Sequence, residues 1–396
     1  MAKIVLVNKF YYNRGGDCTA MLSTEQLLKT KGHEVAVFSM RYAKNIPSEW
    51  DRYFADEIKF SGGSLSDKKR AFERLFKSEE VAKKFNALLN DFKPDIVHLH
   101  NIHSYISPVV AEIAHQRGIR VVWTLHDYKL ICPAYTCLRN GEICELCFKN
   151  KTKVLTNKCI KNSLPASLMG WLESKFWNKK KLMKITDCFI SPSSFLKSKM
   201  VEAGFLAEKI DVLHNFMPQK IEISTLKKDY CCYVGRISKE KGIDTLLNVA
   251  SQSPYQLKVI GDGPLLNAYR NFYTQKNIEF LGHLTPDKVF EVVKQAKCMI
   301  IPSIWYENNP FSVIESLCMG TPVIGARIGG IPELIEEGVN GFLFEPQNIS
   351  ELKEKIDCSF KYFQAEYHFE KIGLSSQNKF SSETFYDKLA DIYNIC

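Results

Sequence analysis

Short, continuously apolar runs alternate with longer segments whose apolar positions recur at helical spacing, and the alternation persists along the whole chain. Continuous rather than every-other apolar character marks strands buried on both faces, as in a parallel sheet covered by helices. In the first half Ile4–Val7, Glu34–Phe38, Ile96–Leu99, Arg120–Thr124, Cys188–Ser191 and Ile210–Leu213 read this way. In the second half Tyr230–Val234, Leu257–Ile260, Ile278–Leu281, Cys298–Ile301, Pro322–Ile324 and Phe342–Phe344 repeat the pattern. Amphipathic helices fall between them: Ala20–Lys31 closed by Gly32, one opened by Ser107 as cap and Pro108 in the first turn, and Ser312–Met319. The alternation predicts two doubly wound, Rossmann-like α/β domains.

A chain of 396 residues exceeds the size at which a single core stops growing, so two domains facing across a cleft are expected. Residues 1–214 form the first and 215–380 the second, with the junction in the polar, aperiodic stretch Asn215–Lys228. A last helical pattern, Glu383–Tyr393 within residues 381–396, fits either domain and is expected to pack back on the first.

Composition changes this picture little. Hydrophobic residues make up 45% and charged residues 24%, ordinary globular usage without low-complexity tracts. The apolar run at the amino terminus is too short for a signal peptide, and no run approaches the roughly 20 residues that span a bilayer, so a cytoplasmic protein is expected. The net charge of +9 is uneven. Lys179, Lys180, Lys181 and Lys184 follow Trp171, Phe176 and Trp177, which reads either as an anionic-membrane contact or as a solvated helix face with its tryptophans in the core. Nucleic acid is not an expected partner, because the basic residues carry no helix-turn-helix, zinc-finger or RNA-binding signature.

Candidate chemistry clusters where strands end, the edge at which open α/β sheets bind ligands. Glu307 and Glu315 stand eight positions apart, one after the strand Cys298–Ile301 and the other in the helix behind it. Two carboxylates suit a ligand with two sets of hydroxyls; the alternative is a pair of helix-surface acids. Arg236 and Lys241 flank the turn after Tyr230–Val234, where cations and free helix N–H groups can face one anion such as a diphosphate. Gly261-Asp262-Gly263-Pro264 is a tight turn that lacks the third glycine of a dinucleotide fingerprint. Gly329-Gly330-Ile331-Pro332-Glu333, and Gly15-Gly16 after the first strand, read as anion nests or as plain glycine turns. His126-Asp127 follows the strand Arg120–Thr124. His98 and His100 share a strand face at metal-ligand spacing but lack an obvious third ligand, and no Asp-any-Asp element is present to hold a catalytic divalent cation.

In their order along the chain, these residues resemble the group 1 (family 4) retaining glycosyltransferases with the GT-B fold. The resemblance implies that Arg236 and Lys241 neutralise a donor diphosphate, that Glu315 holds a ribose, and that Glu307 holds hydroxyls of the transferred sugar. It also implies that His126 contacts that sugar from the other domain. Gly15, Gly16, Gly235, Gly261, Asn309, Phe311 and Ser312 complete the implied donor-binding set. His214-Asn215-Phe216 departs from the family's usual proline-asparagine-glycine, and Pro310 removes a backbone donor from its glycine-rich segment. The implied reaction is metal-independent transfer of a hexosyl group, with retention, from a nucleotide-diphosphate sugar to a polysaccharide or lipid-linked acceptor in bacterial cell-surface polysaccharide synthesis. A sugar-nucleotide epimerase and a noncatalytic sugar-nucleotide binder are the alternatives.

Five of the thirteen cysteines fall between His126 and the next strand. Cys144-Glu145-Leu146-Cys147 is a Cys-x-x-Cys pair, and Cys132, Cys144, Cys147 and Cys159 are the preferred set for a structural zinc, against free thiols or a redox pair.

Overall fold

A computed structural model describes residues 1–58, 60 and 65–395. By contact the chain divides into two compact units. The first comprises Met1–Cys137, Cys144–Leu213 and the chain from Tyr386 onward; the second comprises Leu138–Ile143 and His214–Phe385.

The first unit is built on a six-stranded parallel sheet of β1 (Lys3–Val7), β2 (Glu34–Phe38), β3 (Ile96–Leu99), β4 (Arg120–Thr124), β7 (Cys188–Ser191) and β8 (Ile210–Val212). Its order is β2-β1-β3-β4-β7-β8, so the winding reverses between β1 and β3. Between β4 and β7 lies a small hairpin, β5 (Leu138–Arg139) against β6 (Glu142–Ile143), which is the piece grouped with the second unit. The second unit carries β9 (Lys228–Val234), β10 (Gln256–Ile260), β11 (Ile278–Gly282), β12 (Ala296–Ile301), β13 (Val323–Ala326) and β14 (Gly341–Phe344), all parallel, in the order β11-β10-β9-β12-β13-β14. There the winding reverses between β9 and β12. Such switch points open a crevice at the carboxyl ends of the strands.

Burial explains why the apolar runs are continuous. Along β12, Met299 and Ile301 join one core cluster with Val313, Ile314 and Leu317 of the helix Phe311–Cys318. Cys298 and Ile300 point the other way, into a cluster with Ile243, Leu246 and Leu247 of the helix Ile243–Ser251. Each strand residue is thus covered by one helical layer or the other, and each full burial of an Ile or Leu contributes roughly 1.5–3 kcal/mol. In β1 of the first unit, Ile4, Val5, Leu6 and Val7 are likewise fully buried.

All twelve expected strands are present, four with the expected ends and the others with ends shifted by one or two residues. The first helix begins earlier than expected, at Gly16. The helix after β3 begins at Val109. Ser107 takes a left-handed φ of 84°, its hydroxyl accepting from the Val109 N–H at 3.3 Å and donating to the Phe76 carbonyl at 2.6 Å. The helix Ser382–Tyr393 closes the first unit through its last residues. Tyr386 lies 2.7 Å from His33 Nε2, Tyr393 lies 2.6 Å from His98 Nδ1, and Arg120 donates to the Ile392 carbonyl.

Candidate active site

In the second unit the loops after β9 and β12 are pressed together backbone to backbone. Gly242 adopts a φ of 65°, and a Cβ there would lie 1.9 Å from the Pro302 carbonyl oxygen. The Ile304 N–H donates to the Glu240 carbonyl at 3.1 Å. Only glycine permits both the handedness and the approach. The consequence is that Lys241 is delivered to Glu307: Nζ lies 2.7 Å from Oε1. The same Oε1 accepts from Ser303 Oγ at 2.6 Å and from the Trp305 indole N–H at 2.8 Å. Lys241 also stands 5.0 Å from the centre of the Trp305 ring. Burial alone would raise the carboxyl's pKa, but Lys241, Ser303 and Trp305 outweigh it and hold Glu307 below its ordinary value.

The second carboxylate behaves in the opposite way. Glu315 is half-buried, its carboxylate makes no hydrogen bond among the described residues, and burial raises its pKa to about 7. It therefore changes charge near neutrality, whereas Glu307 is a fixed anion. Arg236 is exposed and in no ion pair among the described residues, leaving its guanidinium open to an anion. Its carbonyl is held by the Tyr233 hydroxyl at 2.8 Å.

Glycine turns lock the rest of this edge. At Gly261 (φ 137°) a Cβ would meet the Gly235 carbonyl oxygen at 1.9 Å. At Gly329 (φ 61°) it would meet the Glu307 carbonyl oxygen at 2.3 Å, and the Gly330 N–H donates to that same oxygen at 2.8 Å. The Arg327–Glu333 segment is thus a brace for Glu307 through its backbone. Asn309 is committed elsewhere: its Oδ1 accepts from the Asn215 N–H and its carbonyl from the Asn215 amide, both at 2.8 Å, while Nδ2 lies 3.2 Å from His214 Nδ1. Phe311 and Ser312 open the following helix and are partly buried.

His126, Gly15 and Gly16 belong to the first unit; Arg236, Lys241, Glu307 and Glu315 to the second. Gly15 is extended, and a Cβ there would make only an ordinary contact with Asp17 Oδ1 at 3.9 Å, so its conformation does not demand glycine. His126 ends a column of imidazoles. His98 Nε2 lies 2.7 Å from the Thr124 hydroxyl, His98 and His100 stack at 4.4 Å, and His100 Nδ1 lies 2.9 Å from His126 Nε2. Burial, more than any neighbouring charge, lowers the pKa of each, to about 3 for His98. His100 Nε2 is buried without a partner. An orphaned buried N–H is rarer than an orphaned acceptor. The favoured tautomer therefore leaves Nε2 bare, has His100 donate through Nδ1, and makes His126 Nδ1–H a donor. The pairing of His98 and His100 as metal ligands is not what forms, since His98 spends both nitrogens on Tyr393 and Thr124.

The cysteine insertion gathers a different set from the expected one. The Cys132 thiol hydrogen-bonds to those of Cys137 and Cys147, with Cys159 beside Cys147. These hydrogen bonds lower the pKa of Cys132 and raise those of Cys137 and Cys147. Cys144 instead closes the hairpin, its N–H donating to the Cys137 carbonyl at 2.8 Å. Among the described residues no group of three or more His, Cys, Asp or Glu is arranged to hold a metal ion. The expected zinc set Cys132, Cys144, Cys147 and Cys159 is therefore not brought together as one group among the described residues, where Cys137 rather than Cys144 meets Cys132.

Of the rings and cations of the basic-aromatic segment only Trp177 folds fully inward, while Phe176 and Lys179 are exposed. Trp177 is buried and donates to the Leu75 carbonyl at 3.0 Å; Lys181 lies over its ring at 3.9 Å and pairs with Glu112 at 3.3 Å. Lys180 and Lys184 stay exposed. Among the described residues no helix is long and apolar enough to cross a membrane.

Sequence reasoning missed Ser303 and Trp305, although both lie within four residues of Glu307; their roles rest on a loop conformation that spacing does not reveal. The bonds of Tyr393 to His98 and of His100 to His126 were hidden because the partners lie 295 and 26 positions apart along the chain.

Comparison with known proteins bears on all of this. Residues 19–218 match the family model described as Glycosyltransferase Family 4, and residues 218–361 that described as Glycosyl transferases group 1. An uncharacterized 42.6 kDa protein in the cps region of Klebsiella pneumoniae is 27% identical over 387 residues, spanning 92% of this chain and 96% of that one. Among solved structures, a sucrose-phosphate synthase from Thermosynechococcus elongatus superposes with a TM-score of 0.71 at 17% identity, covering 100% of this chain and 98% of that one. Anabaena HepE in complex with UDP-glucose gives 0.68 at 17% identity, with full coverage of both chains. These likenesses carry the fold, which is the expected GT-B type.

Proposed function

Because the chain belongs to the group 1, family 4 glycosyltransferases, we propose that it transfers a hexosyl group, with retention, from a nucleotide-diphosphate sugar to a glycan or lipid-linked glycan. The observation that carries this reading is the buried Lys241–Glu307 couple at the β9/β12 switch point, held at 2.7 Å. Negative charge grows on the departing diphosphate as the glycosidic bond breaks. Arg236, with no acid of its own, and Lys241, whose ammonium has donors beyond the one given to Glu307, meet that charge without a metal ion. All three donors to Glu307 converge on Oε1, so Oε2 is the oxygen that accepts from a sugar hydroxyl. Glu315 takes the ribose hydroxyls as an anion. Attack from the leaving-group side gives retention.

The Anabaena neighbour's complex with UDP-glucose supports a nucleotide-sugar donor, and the Klebsiella relative's place in a cps region supports a role in cell-surface polysaccharide synthesis. A lipid-linked acceptor would bring the chain to the inner face of the membrane, where Lys180 and Lys184 are available to anionic headgroups. The test is a panel of nucleotide sugars with and without glycan acceptors, in the presence of a chelator. Acceptor-dependent release of nucleoside diphosphate, with the donor's anomeric configuration kept in the product, is expected. Release needing a divalent cation overturns the metal-free mechanism, and conversion of the donor to its epimer without acceptor overturns the transferase reading.

A further inference from the structure

The first unit has its own switch point, between β1 and β3, and a cavity of about 320 Å³ opens on the loops there. Phe10, Tyr12 and Arg14 follow β1, Tyr42 follows β2 and Tyr105 follows β3; Ile58, Phe60 and Lys161 complete the wall. The rings form one cluster. Phe10 lies 5.0 Å from Tyr42 and 6.1 Å from Tyr105, both tilted near 52°, and Phe60 meets Tyr105 edge-on at 5.1 Å. None of the hydroxyls of Tyr12, Tyr42 and Tyr105 has a hydrogen-bond partner among the described residues. An aromatic wall edged with unused phenols matches a pyranose, whose C–H face is apolar and whose rim is hydroxyl.

The charge at this site is lopsided. Arg14 stacks on Phe10 with its guanidinium carbon 4.1 Å from the ring centre, and Lys9 Nζ stands 5.6 Å from both Phe10 and Tyr105. Lys9, Arg14 and Lys161 are in no ion pair among the described residues; of the nearby acids, Glu57 acts on Tyr42 and Asp127 feels Lys9. A guanidinium stacked on a ring keeps its in-plane N–H donors free for an anion with two oxygens. Neutral sugar recognition has no use for three unpaired cations. We propose that this pocket is a saccharide subsite for an acidic sugar residue, whose ring lies among Phe10, Tyr42 and Tyr105 and whose carboxylate or phosphate is held by Arg14 and Lys161. The inference rests on the glycosyltransferase reading in one respect, that the natural occupant is part of the acceptor.

Ligand-observed saturation-transfer NMR on the full chain tests it with methyl glucuronide, glucose 6-phosphate and methyl glucoside, which present a carboxylate, a phosphate and neither. Both anions should bind about tenfold more tightly than the glucoside, with the better of the two naming the substituent. The double variant R14Q/K161Q should level the three affinities at unchanged thermal stability, and Y105A should weaken all three together. R14K, which keeps the charge but not the planar fork, should fall between. Equal binding of charged and neutral sugars, a preference that survives in R14Q/K161Q, or no binding of any of the three would overturn the proposal. Glu307→Gln serves as the separate control on the donor reading: it should lower transfer while leaving these saccharide affinities alone.

Discussion

Lys241 Nζ and Glu307 Oε1 stand 2.7 Å apart with side-chain exposures of 23% and 8%, so each charge is largely withdrawn from water and compensated chiefly by the other. Removing one partner strands the other, at a cost of about 3 kcal/mol, whereas removing both relieves the strain. Glu307→Ala and Lys241→Ala should each unfold at lower urea concentration, and the double variant should regain much of that loss. Turnover should not recover: each single variant, and Arg236→Ala, should be slower by about 10²–10³. A double-mutant cycle measured both by urea denaturation and by transfer rate checks this, and near-normal rates in the singles would remove the site.

Glu315 makes the second unit sensitive to pH in one direction. Its folded pKa, about 7, is above the unfolded value, so the folded state binds the extra proton. The associated stability is complete below about pH 4.5 and is lost as pH rises through 7. Glu315→Gln should match the parent at pH 5 and melt higher at pH 8. If a ribose is held by the ionised carboxylate, nucleotide binding near pH 6.5 should release a proton. Calorimetry in two buffers of different ionisation enthalpy reads that proton, and its persistence in Glu315→Gln would contradict the assignment.

The imidazole column gives the first unit the opposite response. His98, His100 and His126, together with His103, which stacks on Trp123 at 5.3 Å beside the column, are all held below the ordinary histidine value, chiefly by burial. Below about pH 6.5 the unfolded chain takes up protons that the folded one refuses, and stability falls as pH drops, by up to roughly 1.4 kcal/mol per pH unit for each of His98 and His103, both lowered to about 3. The urea midpoint of the first unit should therefore drop between pH 6.5 and 5. Nitrogen-15 NMR should find His126 neutral at pH 7 and protonated at Nδ1, and His100→Phe should release that tautomer.

Asn309 was expected to touch the donor, but its side chain is occupied by His214 and Asn215. Asn309→Ala should cost roughly 1–3 kcal/mol of stability by orphaning the Asn215 N–H. It should leave nucleotide affinity, read by thermal shift, nearly unchanged.

Gly329→Ala should act through Glu307 without touching substrate. The added Cβ would strike the Glu307 carbonyl oxygen at 2.3 Å in a backbone conformation that alanine resists. Loss of transfer comparable to that of Glu307→Ala, with a lowered melting temperature, is expected, and wild-type activity would show that the brace is dispensable.

These residues show what a sequence exposes and what it conceals. Runs such as Cys298–Ile301 are legible because a strand buried on both faces must be apolar at every position. That Lys241 and Glu307 would meet is partly legible, because both follow strands whose ends adjoin at the switch point. What stays hidden depends on closure in three dimensions. Asn309 carries no mark that its amide will be spent on residue 215, nor does Cys137 carry one that it, rather than Cys144, will meet Cys132. The tryptophans beside the lysine run read equally well as membrane anchors until Trp177 is seen donating to Leu75. The aromatic cavity is assembled from three separate loops, none of which is conspicuous alone.

The hydrogen bond between Tyr393 and His98 also has a bearing on biosynthesis. During translation the strands of the first unit emerge early, yet Tyr386, Ile392 and Tyr393, which finish it, leave the ribosome only after the entire second unit. The nascent first unit must wait with an unsealed flank while the second, contiguous apart from the small hairpin, can complete itself. Ribosome-bound intermediates should therefore be protease-sensitive around His98 until the last helix arrives.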